Sequence, residues 1–168
     1  MVTSLRPPAV EPDRFRRVLG HLPTGVVVVS ALYEDEPVGL TVGSFCSVSL
    51  DPPMIGFFPS KTSTSWPRIE RTGRFVANIL AEHQDEVSAV FARSGGAKFT
   101  HLRWRPSATG APVLDGVAAW IDCEVASVTD AGDHVFVLAR VLDLAATDDH
   151  HPLVFFRGGY ARLSGRAS

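Results

Sequence analysis

Runs of β-branched and other apolar residues, separated by turns more often than by helices, dominate this sequence. The clearest are "TGVVVVSAL" and "HVFVLARVLDLAA", whose composition is typical of strands. About seven such runs alternate with turn-forming stretches such as "YEDEP", "DPP" and "TDAGD". Sequential strands joined by turns pair antiparallel, whereas a doubly wound sheet needs a helix between most strands. The pattern therefore predicts a mainly β (α+β) fold built on an antiparallel barrel or sandwich.

Three short segments have the spacing or boundary residues of helices: "DRFRRVLGHL", "STSWPRIERTG" and "DEVSAVFAR". In the first, apolar residues recur at helical intervals from Phe15 to Leu22, with Asp13 as the predicted N-cap and Pro23 as the stop. In the second, Pro67 falls in the first turn and Gly73 follows the last. These few short helices are expected to flank the sheet.

The chain is expected to form one domain. Its 168 residues are enough for a sizeable core. Residues 1–12 are proline-rich and predict a loose arm, which leaves 13–168 as the domain. The segment "SGGAKFTHLRWRPSATGAP" is predicted to be irregular, and "AAWIDCEVASV" alternates as a strand does, with Asp122 and Cys123 on opposite faces.

Composition and charge weigh slightly against several classes of function. The net charge of -2 and pI of about 6.3 argue against nucleic-acid and anionic-membrane partners. No apolar run is long enough to span a bilayer, so a cytoplasmic location is expected. Cys46 and Cys123 have neither zinc-site nor disulfide-framework spacing.

The stretch "PSKTSTSW", residues 59–66, concentrates hydroxyl side chains around Lys61 at the start of the second helix. A phosphate group is held by short donors that converge on it, ideally with backbone N–H groups and a cation nearby. The stretch lacks the glycines of a P-loop. A Ser/Thr-rich helix cap is the commoner use of such residues, and the residues alone favour it. Both interpretations stay open at this point.

Two other features have a structural and a functional interpretation. Gly39 and Gly43 in "GLTVGSF" indicate a β-bulge, or a close approach by a ligand or another part of the backbone. His134 follows the turn "AGD" and is either a solvated surface residue or a ligand contact at the barrel end. In "DDHH", residues 148–151, hairpin-loop polarity is favoured over a metal site because adjacent residues rarely converge on one ion.

The sequence contains no recognisable nucleophile motif and no H-E-x-x-H zinc motif. Hydride transfer between a nicotinamide and a flavin remains possible, because the cofactors carry that chemistry and the protein supplies positioning.

Taken together and in order, six stretches resemble the flavin reductase family, the small reductase components of two-component flavin-dependent monooxygenases. They are "FRRVLGHLPTGVVVVSA", "GLTVGSFCSVSLDPPMIGF", "SKTSTSWPRIERTGRFVANIL", "AKF", "GDHVFVLARV" and "PLVFFRGGY". The resemblance runs from about Phe15 to Tyr160. It implies an antiparallel split β-barrel of the FMN-binding type. It also implies FMN or FAD as flavin, NADH or NADPH as hydride donor, a homodimer, and a transient partner oxygenase.

The resemblance further implies a role for each matching residue. Beside the isoalloxazine ring would run Thr41, Val42, Gly43, Ser44 and Phe45. Around the flavin phosphate would lie Ser60, Lys61, Thr62, Ser63 and Ser65, with Asn78 close to the same ligand. The pocket edge would be formed by Lys98 and Phe99, and the C-terminal side by Arg157 and Tyr160. His134, in the G-D-H motif, would contact the nicotinamide.

One departure from the family pattern concerns position 43, where relatives often carry Asn, Ala or Ser and this chain has Gly43. More of the flavin contact then falls to backbone groups. Two rival functions remain open. A non-catalytic flavin-binding module would keep the hydroxyl stretch but not need His134. An oxidase of the pyridoxamine-phosphate type would need more basic residues than this chain has.

Overall fold

The computed structural model describes residues 10–147 and 150–163. The three helices are α1 (Pro12–Leu19), α2 (Trp66–Thr72) and α3 (Asp85–Ala92). The first six strands are β1 (Thr24–Gly25), β2 (Val27–Tyr33), β3 (Glu36–Val42), β4 (Cys46–Leu50), β5 (Pro53–Phe57) and β6 (Arg74–Ile79). The last six are β7 (Trp104–Pro106), β8 (Pro112–Leu114), β9 (Ala119–Ala131), β10 (His134–Ala146), β11 (Val154–Phe156) and β12 (Gly159–Ala161).

A seven-stranded sheet in the order β3-β2-β6-β9-β10-β5-β4 forms the body of the molecule. Its strand pairs are antiparallel. The two edge strands, β3 and β4, are consecutive in the chain, so residues 43–45 cross from one edge of the sheet to the other. Ser44 ties this crossing to Phe58, whose N–H donates to the Ser44 hydroxyl at 3.0 Å. The rolled but open sheet confirms the predicted antiparallel split barrel.

The strand boundaries differ from the sequence prediction in two places. "TGVVVVSAL" divides, because β1 pairs with β11 in a separate three-stranded sheet while β2 enters the main sheet. The segment predicted to be irregular, residues 94–112, contains β7 and the first residue of β8, which pair as a ribbon. That prediction was wrong because the strands are only three residues long and carry prolines, which weakens any sequence pattern.

The core lies inside the rolled sheet and is centred on Phe57. Its ring meets Phe75 at 5.4 Å and Trp66 at 5.5 Å, both edge to face. On β9, Cys123 joins this core, while Asp122 faces the opposite way, as the alternation predicted. Both are fully buried: Cys123 lies in the core, and Asp122 is covered by the β7–β8 region, where Thr109 Oγ1 donates to its carboxylate at 2.6 Å.

The helix termini follow their sequence signals with one exception. Helix α1 begins at Pro12 after Glu11 and ends at Leu19, before Pro23. Asp13 is therefore inside the first turn, where it pairs with Arg16, and its prediction as N-cap was wrong because proline at the first helical position sets the start. Gly73 follows α2 with φ of +67°, as predicted for a helix C-terminus.

Gly39 is required by a close contact rather than by a bulge. The β2–β3 register runs continuously past it, with Gly39 opposite Ser30. A Cβ atom at this position would lie 2.6 Å from the Phe91 ring, so glycine allows α3 to pack on β3. Within the described ranges, no helix has the length and apolar character to cross a membrane.

Candidate functional site

A groove of about 1240 Å³ opens beside the end of β3, between the β5–α2 segment, the end of α3 and the start of β10. Its walls bring together most of the residues singled out in the sequence: Thr41, Val42, Gly43, Ser44, Ser60, Thr62, Ser63, Ser65, Lys98 and His134. These residues come from four separate parts of the chain. The groove is therefore a site assembled by the fold around the hydroxyl-rich stretch.

The hydroxyl-rich stretch combines a helix cap with a set of available donors. Ser63 Oγ accepts the backbone N–H of Trp66, the first residue of α2, at 3.1 Å, which satisfies one of the free N–H groups at the start of the helix, although the N-cap residue Ser65 makes no such bond. Ser60 Oγ and Thr62 Oγ1 share a hydrogen bond of 2.9 Å. A hydroxyl that accepts through its oxygen still has its hydrogen to donate. Hydroxyl hydrogens along this wall can therefore donate to an anion in the groove.

Lys98 reaches the site from the loop after α3 and joins three elements. Its ammonium donates to Gly39 O at 3.0 Å on β3, to Phe91 O at 3.2 Å on α3 and to Ser65 Oγ at 3.3 Å. Burial lowers the pKa of Lys98 from its usual value. These contacts use the three N–H groups of the ammonium and leave the Ser65 hydroxyl hydrogen free to donate.

His134 is fixed to the hydroxyl-rich stretch through the backbone. Val135 N–H donates to Pro59 O at 3.1 Å and Lys61 N–H donates to Asp133 O at 3.0 Å, which places Ser60 opposite His134. His134 Nδ1 lies 2.7 Å from Asp133 Oδ1. The hydrogen bond with His134, and the charge of His134, lower the pKa of Asp133. With Nδ1–H donating to this carboxylate, Nε2 is the acceptor in the neutral ring.

The opposite wall is formed by the end of β3 and the crossing that follows it. Thr41 Oγ1 donates to Ser88 O at 2.9 Å, so its hydroxyl hydrogen is used within the protein. A Cβ atom at Gly43 would lie 3.1 Å from Thr24 Oγ1. The absence of a side chain at Gly43 thus suits the tight contact with β1 and exposes backbone to the groove.

Three residues that the family resemblance assigns to the flavin have side chains that do not line the groove. Lys61 Nζ pairs with Asp130 at 2.8 Å, on the β9–β10 hairpin. Phe45 packs on Phe57 at 6.5 Å in the core. Asn78 is fully buried and donates to Ser30 Oγ at 2.8 Å, and its Oδ1 accepts from Leu114 N–H at 2.8 Å. In the described part of the chain none of the three lines the groove, so no direct ligand contact is proposed for them.

The remaining assigned residues support the groove from outside it. Phe99 lines an adjoining cavity and packs on Phe91 at 4.9 Å. Tyr160 OH donates to Ser88 Oγ at 2.8 Å, next to the Thr41 contact. Arg157 N–H donates to Gly20 O at 3.0 Å and holds the end of α1. Their described contacts therefore fix α1 and α3.

The sequence interpretation missed several groove residues. Thr64 was the one hydroxyl of the stretch not assigned to the ligand, although it lies between two that were. Arg93 and Ser94 extend the wall past the end of α3, and Phe15 and Leu19 of α1 line it from the other side. The apolar spacing of α1 was visible in the sequence, but it indicates a helix and not the surface that the helix faces.

Other chemistries have less support in the described residues. Burial, followed by the charge of Asp122, raises the pKa of the Cys123 thiol to about 12, so the thiol is protonated and unreactive. Within residues 10–147 and 150–163, no group of three or more His, Cys, Asp or Glu side chains converges to hold a metal. Asp148 and Asp149 lie outside the described residues. The groove therefore offers hydroxyl donors, a fixed imidazole and an apolar wall.

Comparisons with known proteins agree with this geometry. The family described as flavin reductase like domain matches residues 19–164. A flavin reductase of Pseudomonas putida is 47% identical over 90% of each chain. The flavin-dependent monooxygenase reductase subunit HsaB of Mycobacterium tuberculosis is 44% identical over 92% of this chain and 83% of that protein. A nitrilotriacetate monooxygenase component B homologue of Mycobacterium thermoresistibile has a TM-score of 0.88 at 45% identity, covering 90% of this chain and 86% of that one. Matches of this extent and identity establish that the chain belongs to the flavin reductase family.

Proposed function

We infer that this chain is an NAD(P)H-dependent flavin reductase that supplies reduced FMN or FAD to a partner monooxygenase. The observation that carries the inference is the groove, in which a hydroxyl-rich wall and His134 are joined by backbone hydrogen bonds. Family membership over residues 19–164 supports the same reaction. Hydride transfer needs positioning more than a catalytic acid, base or nucleophile, which agrees with the residues that line the site.

The residues of the groove fit a flavin and a nicotinamide. When bound, the flavin accepts a hydride from the reduced nicotinamide. Ser63, Ser65 and the accepting member of the Ser60–Thr62 hydrogen bond donate hydroxyl hydrogens to the flavin phosphate, and Lys98 orients Ser65 for that contact. The backbone from Thr41 to Ser44 forms the wall beside the ring. His134, oriented by Asp133, presents Nε2 to the nicotinamide carboxamide.

The function is tested by following the absorbance of NADH at 340 nm with purified protein in air, before and after addition of FMN or FAD. Rapid loss of NADH that depends on added flavin is the expected result. Flavin binding without NADH oxidation would instead favour a non-catalytic flavin-binding module. The same assay with NADPH measures which nicotinamide donor is preferred.

Replacing His134 with alanine is expected to raise the KM for NADH by about tenfold and to change the KM for flavin much less. The physical reason is that the substitution removes the proposed acceptor of the carboxamide while leaving the hydroxyl-rich wall intact. Steady-state kinetics with each substrate varied in turn measures the two constants. An Asp133→Asn variant is expected to shift the KM for NADH in the same direction by less, because it only loosens the imidazole.

His101→Ala is the matched control for this prediction. His101 is exposed in the loop before β7, away from the groove. Its replacement is expected to leave both KM values unchanged. An unchanged KM for NADH in His134→Ala would remove the proposed role of His134 and leave it a surface residue.

We also propose that the chain is a homodimer. The support is α1, in which none of the described residues is buried and Phe15, Val18 and Leu19 are about half exposed or more. An amphipathic helix with its apolar side exposed is stabilised by a partner surface. The three tryptophans are less suited to an interface. Trp66 is buried, and Trp104 and Trp120 pack against a second buried cluster that includes Phe91 and Leu114.

Sedimentation equilibrium at assay concentration is expected to give twice the monomer mass for the wild type. A Val18→Glu variant is expected to shift the population towards monomer, since a charge would be placed in the apolar face without altering a groove residue. A monomeric wild type would contradict the proposal.

A cytoplasmic location is proposed too, because nicotinamide donors are supplied there. Cell fractionation tests this location.

A further inference from the structure

A second cavity, of about 540 Å³, adjoins the groove on the far side of the hydroxyl-rich stretch. Thr64, Ser65 and Lys98 line both spaces, so one wall separates them. The volume falls within the usual range of small-molecule sites. A ligand whose phosphate is held at this wall can therefore extend from the groove into the second cavity without crossing the core.

An ion pair between Arg68 and Glu36 forms one side of the second cavity. Arg68 Nη2 donates to Glu36 Oε2 at 3.0 Å, and its guanidinium lies 5.2 Å from the centre of the Tyr33 ring. These two contacts hold the guanidinium at the wall while other N–H groups stay free. Arg68 can thus donate to a second phosphate, and the free oxygen of Glu36 can accept from a sugar hydroxyl or an exocyclic amine.

The other side of the second cavity is aromatic. Phe99 and Trp104 line it, with ring centres 6.5 Å apart, and Phe99 in turn packs on Phe91 at the groove. Between these walls runs the loop through Gly95 and Gly96, which have φ of +70° and +80° and open space where side chains would be. Flat aromatic surface beside an open cavity suits a nucleobase, which stacks on such rings.

We propose that the second cavity is the subsite for the adenylyl half of FAD. The proposal rests on the proposed flavin reductase function, because it takes the flavin phosphate to lie at the shared wall. FMN ends at that phosphate, whereas FAD continues with a second phosphate, a ribose and an adenine. Arg68 binds the second phosphate, Glu36 the ribose or the amine, and Trp104 the base. The chain accordingly prefers FAD to FMN.

Isothermal titration calorimetry with FAD and with FMN tests the proposal without relying on turnover. The wild type is expected to bind FAD about tenfold more tightly than FMN. Arg68→Gln is expected to raise the Kd for FAD about fivefold and that for FMN by less than about twofold. Arg71→Gln is the matched control, since Arg71 lies on the same helix, contacts Tyr33 OH at 3.3 Å and is absent from the cavity wall. It is expected to leave both Kd values unchanged.

A second variant tests whether FAD needs the open space of the second cavity, independently of the charge of Arg68. Ala97 is exposed and lines the second cavity, so Ala97→Phe is expected to weaken FAD binding and spare FMN binding. Equal Kd values for the two flavins in the wild type would overturn the proposal. So would an Arg68→Gln variant that weakens both flavins alike, or one that raises the KM for NADH while sparing FAD. The last result would assign the cavity to the nucleotide end of the hydride donor.

Failure of the proposed flavin reductase function and failure of the subsite proposal give different results. If the proposed function is wrong, neither flavin supports NADH oxidation. If only the subsite is wrong, flavin-dependent NADH oxidation and FMN binding persist while the preference for FAD and its sensitivity to Arg68→Gln are missing.

Discussion

Replacing Asn78 with leucine is expected to lower the free energy of unfolding by about 3 kcal/mol. Asn78 Nδ2 donates to Ser30 Oγ and to Val28 O, and Oδ1 accepts from Leu114 N–H, all in a fully buried site between β6 and the β7–β8 region. Leucine fills a similar volume but leaves these groups without partners. Unsatisfied buried donors and acceptors each cost about 1–3 kcal/mol. Urea denaturation of the purified variant measures the loss.

The KM for flavin of the Asn78→Leu variant distinguishes a structural role of Asn78 from a direct contact with the flavin. If the side chain is structural, the folded fraction of Asn78→Leu keeps a KM for flavin within about twofold of the wild type. Ser30→Ala removes one partner of the same network and is expected to give a smaller loss of stability. A tenfold rise in the KM for flavin with unchanged stability would restore the ligand contact implied by family resemblance.

The resemblance and the run of apolar strands predicted the architecture because those signals are local. In a strand of alternating residues such as β9, the alternation assigns each residue to one of the two faces. The residues of a hydroxyl-rich stretch are adjacent in sequence, so they stay close together in any fold. The antiparallel sheet was predicted in this way. The hydroxyl residues that the resemblance assigns to a phosphate lie together along the groove: Ser60, Thr62, Ser63 and Ser65. What the sequence could not give was the partner of each polar side chain, since partners come from distant segments.

Asn78 illustrates the limit. A single polar residue in an apolar strand indicates either a ligand contact or a buried network. Its partners Pro112 and Leu114 lie at the end of the segment predicted to be irregular and just after it. The two lysines show the same limit of sequence-based prediction. Lys61 lies among the hydroxyl residues in the sequence but forms an ion pair with Asp130 in the structure. Lys98 is distant in sequence, yet its ammonium donates a hydrogen bond to Ser65.

Replacing Lys98 with methionine is expected to destabilise the fold by about 2 kcal/mol and to raise the KM for flavin by about tenfold. The ammonium is the point at which β3, α3 and the hydroxyl-rich stretch meet, through Gly39 O, Phe91 O and Ser65 Oγ. Methionine fills the same space without donating, so the two carbonyls lose a partner and Ser65 is no longer held. Thermal denaturation and flavin-dependent NADH oxidation measure the two effects.

Lys61→Met is the matched control, since it removes the other lysine of the chain and with it only an exposed ion pair to Asp130. Such pairs contribute about 0–1 kcal/mol, so its loss of stability is expected to be much smaller than that of Lys98→Met. A Lys61→Met variant that raised the KM for flavin more than Lys98→Met would return the phosphate contact to Lys61. Arginine at position 98 is not expected to rescue the methionine variant, because a planar guanidinium cannot direct its donors to three acceptors around one nitrogen.

The pH dependence gives Lys98 a signature that a purely steric role would lack. Burial lowers the pKa of Lys98 below the 10.5 of the unfolded chain, so the unfolded state binds more protons between the two values. The charged form is thus penalised in the folded protein at lower pH, and the penalty is relieved as the pH rises through the folded pKa. The stability of the wild type relative to Lys98→Met is therefore expected to increase as the pH is raised towards 10.5. A difference that stayed constant with pH would mean that the ammonium is as well solvated in the fold as in water.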